Sequence, residues 1–144
     1  MKRKVILSSL FLCLLSSCLF AEEVQYLTTA DFKNFVFDYT KQTAWQYKGS
    51  KPCIIDFYTT WCGPCKRLAP VMEELAEKYC DQIVIYKVDT ERERELAMYF
   101  GIRSIPTILF CPIGNNPQVA QGALPKEVLE QAIQEVLLHS PESK

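Results

Sequence analysis

Apolar and polar residues follow two rhythms along this chain, and the rhythm changes where one element gives way to the next. "VQYLT" (Val24–Thr28) reads as a short strand. Thr28 and Thr29 suit a helix cap, after which Phe32, Phe35, Val36 and Tyr39 recur at helical spacing. "KQTAWQYKGSK" is a polar connection dotted with aromatics. "CIIDFYT" (Cys53–Thr59) is almost continuously apolar and β-rich, as a strand buried on both faces should be. Leu68, Val71, Met72, Leu75 and Tyr79 then form one face of a long helix, in which Pro70 is expected to make a kink. "IVIYKVD" (Ile83–Asp89) predicts a second buried strand, and Thr90 with Glu93 a capping box for a helix ending near Gly101. "PTILFC", a turn at "IGNN" and "QVAQG" predict a hairpin. Pro125 opens a last helix with Val128, Ala132, Ile133, Val136 and Leu137 facing inward. The order β-α-β-α-β-α-β-β-α predicts an α/β fold. Its strand–helix–strand units imply a parallel portion and its hairpin an antiparallel edge, giving a central mixed sheet with helices on both faces.

The first residues stand apart from this pattern. "MKRK" is a basic start, and "VILSSLFLCLLSSCLFA" an apolar run ending in small residues. Residues 1–21 therefore read as an export signal and residues 22–144 as one domain. Two signal ends fit: "LLSSC" resembles a bacterial lipobox, which would acylate Cys18, whereas "LFA" would give an ordinary cleavage after Ala21. Removing Lys2, Arg3 and Lys4 from the 16 basic residues leaves 13 against 17 acidic ones, a net −4 that argues against a nucleic-acid partner. "ERERE" (Glu91–Glu95) reads as a solvated helix start. With 49% hydrophobic and 23% charged residues, the composition is that of a globular domain.

Of the 7 cysteines, Cys13 and Cys18 fall in the signal, leaving Cys53, Cys62, Cys65, Cys80 and Cys111. "WCGPC" (Trp61–Cys65) holds a cysteine pair that three kinds of chemistry use: a redox couple, half a metal site, or a structural disulfide. A structural zinc site needs four ligands, and the chain offers one such pair and a single histidine, His139. No metal is expected. A structural bridge has no need of the strand-to-helix junction where this pair lies. That junction matters for redox chemistry, because unpaired backbone N–H groups and the helix dipole favour a thiolate. Moving Cys62 from ~8.5 to ~7 takes about 2 kcal/mol, the upper limit of what a helix terminus supplies, so hydrogen bonding within the pair must contribute. Cys65, one turn inward, is expected to be shielded.

Three stretches in order, "KPCIIDFYTTWCGPCK", "GIRSIPT" and "GALPKEVL", resemble the active-site strand and turn, the cis-proline loop and the last-helix entry of the thioredoxin family. The resemblance runs from about Val24 onward, with the Lys41–Lys51 region elongated. It implies a thioredoxin fold, with Cys62 as attacking thiol and Cys65 as resolving thiol. It also implies that Asp56 is buried beneath the pair and relays the proton of Cys65, with Lys87 close to that acid. A raised pKa for an acid in an apolar strand agrees with such a role. Pro106 is expected to be cis, freeing the Ile105 backbone to pair with an extended substrate. Trp61, Ile105 and Gly122, together with Gly63 and Pro64, are expected to form the substrate surface. Tyr58 and Ser104 depart from the residues common at those places, tryptophan and glycine. Cys53, Cys80 and Cys111 match no family catalytic position. Cys53 is expected in the core, and a Cys80–Cys111 bridge is conceivable.

The Gly-Pro pair between the cysteines resembles that of reducing thioredoxins, whose family value is ~−270 mV against ~−120 mV for the strong periplasmic oxidant. The expectation is an exported, monomeric dithiol reductase of protein disulfides. It would work extracytoplasmically, use no cofactor beyond the Cys62–Cys65 couple, and draw electrons from a membrane thiol carrier. The alternatives are a disulfide oxidase or isomerase, a reductase dedicated to haem-attachment cysteines, and a non-catalytic binding scaffold.

Overall fold

The computed structural model describes residues 23–138. The expected signal with Cys13 and Cys18, and also His139, lie outside the described residues. The elements are β1 (Gln25–Tyr26), α1 (Thr29–Asp31, continued by a π turn over Phe32–Val36), β2 (Cys53–Tyr58), α2 (Gly63–Lys78), β3 (Val84–Asp89), α3 (Arg94–Tyr99), β4 (Thr107–Cys111), β5 (Gln118–Gln121) and α4 (Lys126–Ala132, continued by a π turn over Ile133–Leu137). The strand order is β1-β3-β2-β4-β5. β3 is parallel to β1 and β2, whereas β4 is antiparallel to β2 and β5. The expected mixed sheet is therefore present, with β2 at its centre and every residue from Cys53 to Phe57 buried.

Alternation along β2 divides the core in two. Ile54 joins Ile85, Ile108 and Phe110 beneath Leu68, Met72 and Leu75 of α2 and Leu129, Ile133 and Leu137 of the last helix. Cys53, Ile55 and Phe57 face the other way, onto Phe32, Val36, Leu96 and Leu109. Asp56 shares the parity of Ile54, so the strand's one carboxylate points toward the α2 side.

Local details differ from the sequence pattern, each for a physical reason. The capping box forms at Thr28–Asp31, not Thr90–Glu93. Thr90 instead bonds the Tyr58 carbonyl, and the Glu93 carboxylate accepts from the Thr29 amide at 2.7 Å and its hydroxyl at 2.6 Å, tying α1 to α3. In the first helix, Phe37 N–H donates to the Phe32 carbonyl at 3.0 Å. That wider turn rotates Phe37 into the core and leaves Phe35 58% exposed. In the last helix the buried stripe starts at Leu129, and Val128 lies on its outer flank. Pro70 lies inside α2, as its sequence position implies, and the helix continues to Lys78. Cys111 is a free, buried thiol opposite Cys53 in the β2–β4 register, so no Cys80–Cys111 bridge forms.

Candidate active site

β2 ends in a tight turn at Thr59–Trp61 that delivers Cys62 as the N-cap of α2. Cys62 N–H donates to the Thr59 carbonyl at 3.4 Å. Its sulfur accepts the Cys65 N–H at 3.2 Å, so an amide left orphaned at the helix start points at the leading sulfur. This is the intra-pair hydrogen bond that the helix dipole alone did not supply. The Cys62–Cys65 disulfide is formed, across a Cα–Cα distance of 5.3 Å.

Exposure does not separate the two cysteines: Cys62 is 5% and Cys65 4% exposed. Their surroundings do. The Cys62 sulfur lies 3.9 Å from the Ile105 carbonyl oxygen, at the outer loop. Cys65 faces inward, onto a cavity of about 260 Å³ that it shares with Asp56, Thr59, Tyr58, Tyr26 and Lys87.

The outer rim gathers the residues expected there. The Ile105–Pro106 bond is cis. Gly122 has φ +90°, where a side chain would be strained, and its N–H donates to the Pro106 carbonyl at 2.8 Å, pinning that loop beside the cis-proline. Gly63 and Pro64 are exposed, and Trp61 presents 66% of its surface while its indole N–H donates to Glu91 Oε1 at 3.0 Å. By its sequence neighbours alone, Glu91 is one more charge in a solvated run. The signal that singles it out is the need of an indole N–H for an acceptor, which only the fold identifies.

The inner side holds the acid. Asp56 is 5% exposed, and its Oδ1, like the Thr59 hydroxyl, has no hydrogen-bond partner among the described residues. Burial pushes the Asp56 carboxyl up to about 7, with Lys87 pulling part of the way back. Lys87 stands opposite Asp56 in the parallel β2–β3 register, yet forms no ion pair with it. Its ammonium sits over the rings of Tyr26 at 4.4 Å and Tyr58 at 5.4 Å. Sequence reasoning missed Thr59 and Tyr26, because nothing in their spacing announces a shared cavity. Chemically the site offers a sulfur at a helix start beside an open backbone edge, a second sulfur behind it, and a carboxyl able to exchange a proton near neutrality. Among the described residues, no cluster of three or more His, Cys, Asp or Glu residues is placed to hold a metal.

Comparison with known proteins agrees with this geometry. The thioredoxin family model matches residues 23–135. The chain is 45% identical over 109 residues to a thioredoxin of Borreliella burgdorferi, covering 76% of this chain and 93% of that one. It is 36% identical over 107 residues to thioredoxin 1 of Synechococcus elongatus, covering 74% and 91%. Among solved structures, a thioredoxin of Malassezia sympodialis superposes with a TM-score of 0.63 at 31% identity, covering 78% of this chain and 90% of that one.

Proposed function

Since this chain belongs to the thioredoxin family of thiol–disulfide oxidoreductases, we propose that it is an exported dithiol reductase of protein disulfides. The observation that carries this reading is the placement of the Cys62–Cys65 disulfide: outer sulfur against the Ile105 edge, inner sulfur on the cavity of Asp56. The Gly63-Pro64 pair supports the reducing direction through its likeness to the reducing thioredoxins. The basic-then-apolar segment of residues 1–21 supports export, with Cys18 as the lipidated residue if cleavage precedes it.

In the reduced enzyme, the Cys62 thiolate attacks one sulfur of a client disulfide, forming a mixed disulfide and releasing the other client sulfur as a thiolate. Asp56 takes the proton of Cys65. The Cys65 thiolate then attacks Cys62 Sγ, restoring the Cys62–Cys65 bond and freeing the second client thiol. Two electrons pass to the client, which leaves with both sulfurs reduced. The Ile105 backbone holds the client strand in register, Trp61 and Gly122 bound the groove, and Gly63 and Pro64 shape its floor. Outside the cytoplasm the spent disulfide takes its electrons from a membrane thiol carrier.

Equilibrating the purified domain against a glutathione redox buffer tests the direction. A potential near ~−270 mV supports the reductase, and one well above ~−200 mV refutes it in favour of an oxidase or isomerase. Alkylation trapping in the host, with cell fractionation, tests the location: a mostly reduced, extracytoplasmic pool is expected, and a cytoplasmic pool overturns the export reading.

A further inference from the structure

Three strands place a row of side chains across one face of the sheet. Tyr26 of β1 is paired with Lys87 of β3, and Lys87 with Asp56 of β2. In a parallel register such partners point to the same side, so the lysine stands between a ring and a carboxylate. Tyr58, two residues beyond Asp56, emerges on the same face. An ammonium beside a buried carboxylate would ordinarily pair with it. Here it does not: Lys87 Nζ lies 4.4 Å from the Tyr26 ring centroid and 5.4 Å from that of Tyr58. Asp56 Oδ1 is left with no partner, facing the cavity these residues line.

We propose that Tyr26 and Tyr58 are positioning residues for the reaction: their two rings clamp the Lys87 ammonium and hold it off the Asp56 carboxylate. The rings offer the cation an attraction that competes with the ion pair, and a solvent-facing one, since Tyr26 is 70% exposed. The consequence concerns the acid. Lys87 already pulls the carboxyl part of the way down from where burial alone would put it. Since an opposite charge within about 4–6 Å lowers a carboxylate pKa by about 1–3 units, full approach of the ammonium would lower it further and weaken its hold on the Cys65 proton. With the lysine clamped, burial dominates and the carboxyl titrates at about 7. Other groups around the cavity do not replace the lysine. Lys66 and Glu73 of α2 carry opposite charges, and burial, with Tyr26 next in weight, pushes the Tyr58 phenol up to about 12, so it stays neutral.

The test is the titration of the Asp56 carboxyl carbon by NMR in the oxidised full domain. Tyr26→Leu with Tyr58→Leu is expected to move the midpoint down by about one to three pH units. Tyr26→Phe with Tyr58→Phe keeps both rings and is expected to keep the wild-type midpoint. In a Lys87→Met background the leucine pair is expected to leave the midpoint where that background sets it, which closes a double-mutant cycle on the clamp. Tyr26→Leu alone, at the more exposed ring, is the variant to read if the double change impairs folding. A midpoint that stays put or rises in the leucine variants overturns the proposal, as does an equal fall with and without Lys87. The titration reads the carboxyl directly, so its outcome holds whichever direction the dithiol runs.

Discussion

Replacing Asp56 with asparagine should stabilise the oxidised protein, and only above about pH 4. In the native state the carboxyl titrates at about 7 against an ordinary value of 3.8. Between those values the folded chain keeps a proton that the unfolded chain has already lost. Stability therefore falls as pH rises from about 4 to 7, and is flat outside that window as far as this group is concerned. At about 1.4 kcal/mol per unit, three units set a ceiling of about 4 kcal/mol on the cost carried at pH 8. Relaxation of the protein around the ionised form keeps the cost below that ceiling. The asparagine side chain has nearly the same shape and no proton to lose, so the Asp56→Asn variant lacks the decline. Urea unfolding of both proteins at unit steps from pH 4 to pH 8 measures the gap, with equal m-values confirming that compactness is unchanged. The gap should open across pH 4–7 and then hold constant. Parallel curves, or a wild type that gains on the variant as pH rises, would show that Asp56 is not a buried acid of raised pKa, and the proton-relay role proposed for it would fall too.

The same substitution should slow resolution of a mixed disulfide by about a hundredfold near neutral pH, read in stopped-flow with a small disulfide, since general acid–base assistance is worth at least that much. Cys65→Ser should accumulate covalent client adducts visible on non-reducing gels, whereas Cys62→Ser should abolish insulin-type disulfide reduction. If the second variant retained that activity, the pair would not be the reacting centre. Leu75→Ala, in the core beneath α2 at 0% exposure, should cost about 2–5 kcal/mol in urea unfolding. Gly122→Ala, at φ +90°, should cost about 1–2 kcal/mol and loosen the rim. An unchanged unfolding midpoint would show that the loop relaxes freely.

The chain's own order of residues was enough for the mixed sheet. The nearly continuous apolar runs at Cys53–Phe57 and Ile108–Cys111 have no stable home except a sheet covered on both faces, and the cysteine pair soon after the first run had to fall at a helix start. Local rules also placed Asp56 in the interior, because a strand covered on both faces leaves it no exposed side. They failed where two segments compete for one group. Glu93 was free in sequence to cap its own helix, but Thr29 reached it from 64 residues away. Phe35 and Phe37 exchanged places because one wider turn outweighed ideal helical spacing. Tertiary structure alone decided the site's electrostatics. Whether Lys87 pairs with Asp56 or lies on Tyr26 depends on which strands are neighbours, and β1 meets β3 only after more than fifty intervening residues have folded around them. Sequence order fixes which groups exist; the distance between their charges, and hence which one holds the proton, is set by packing.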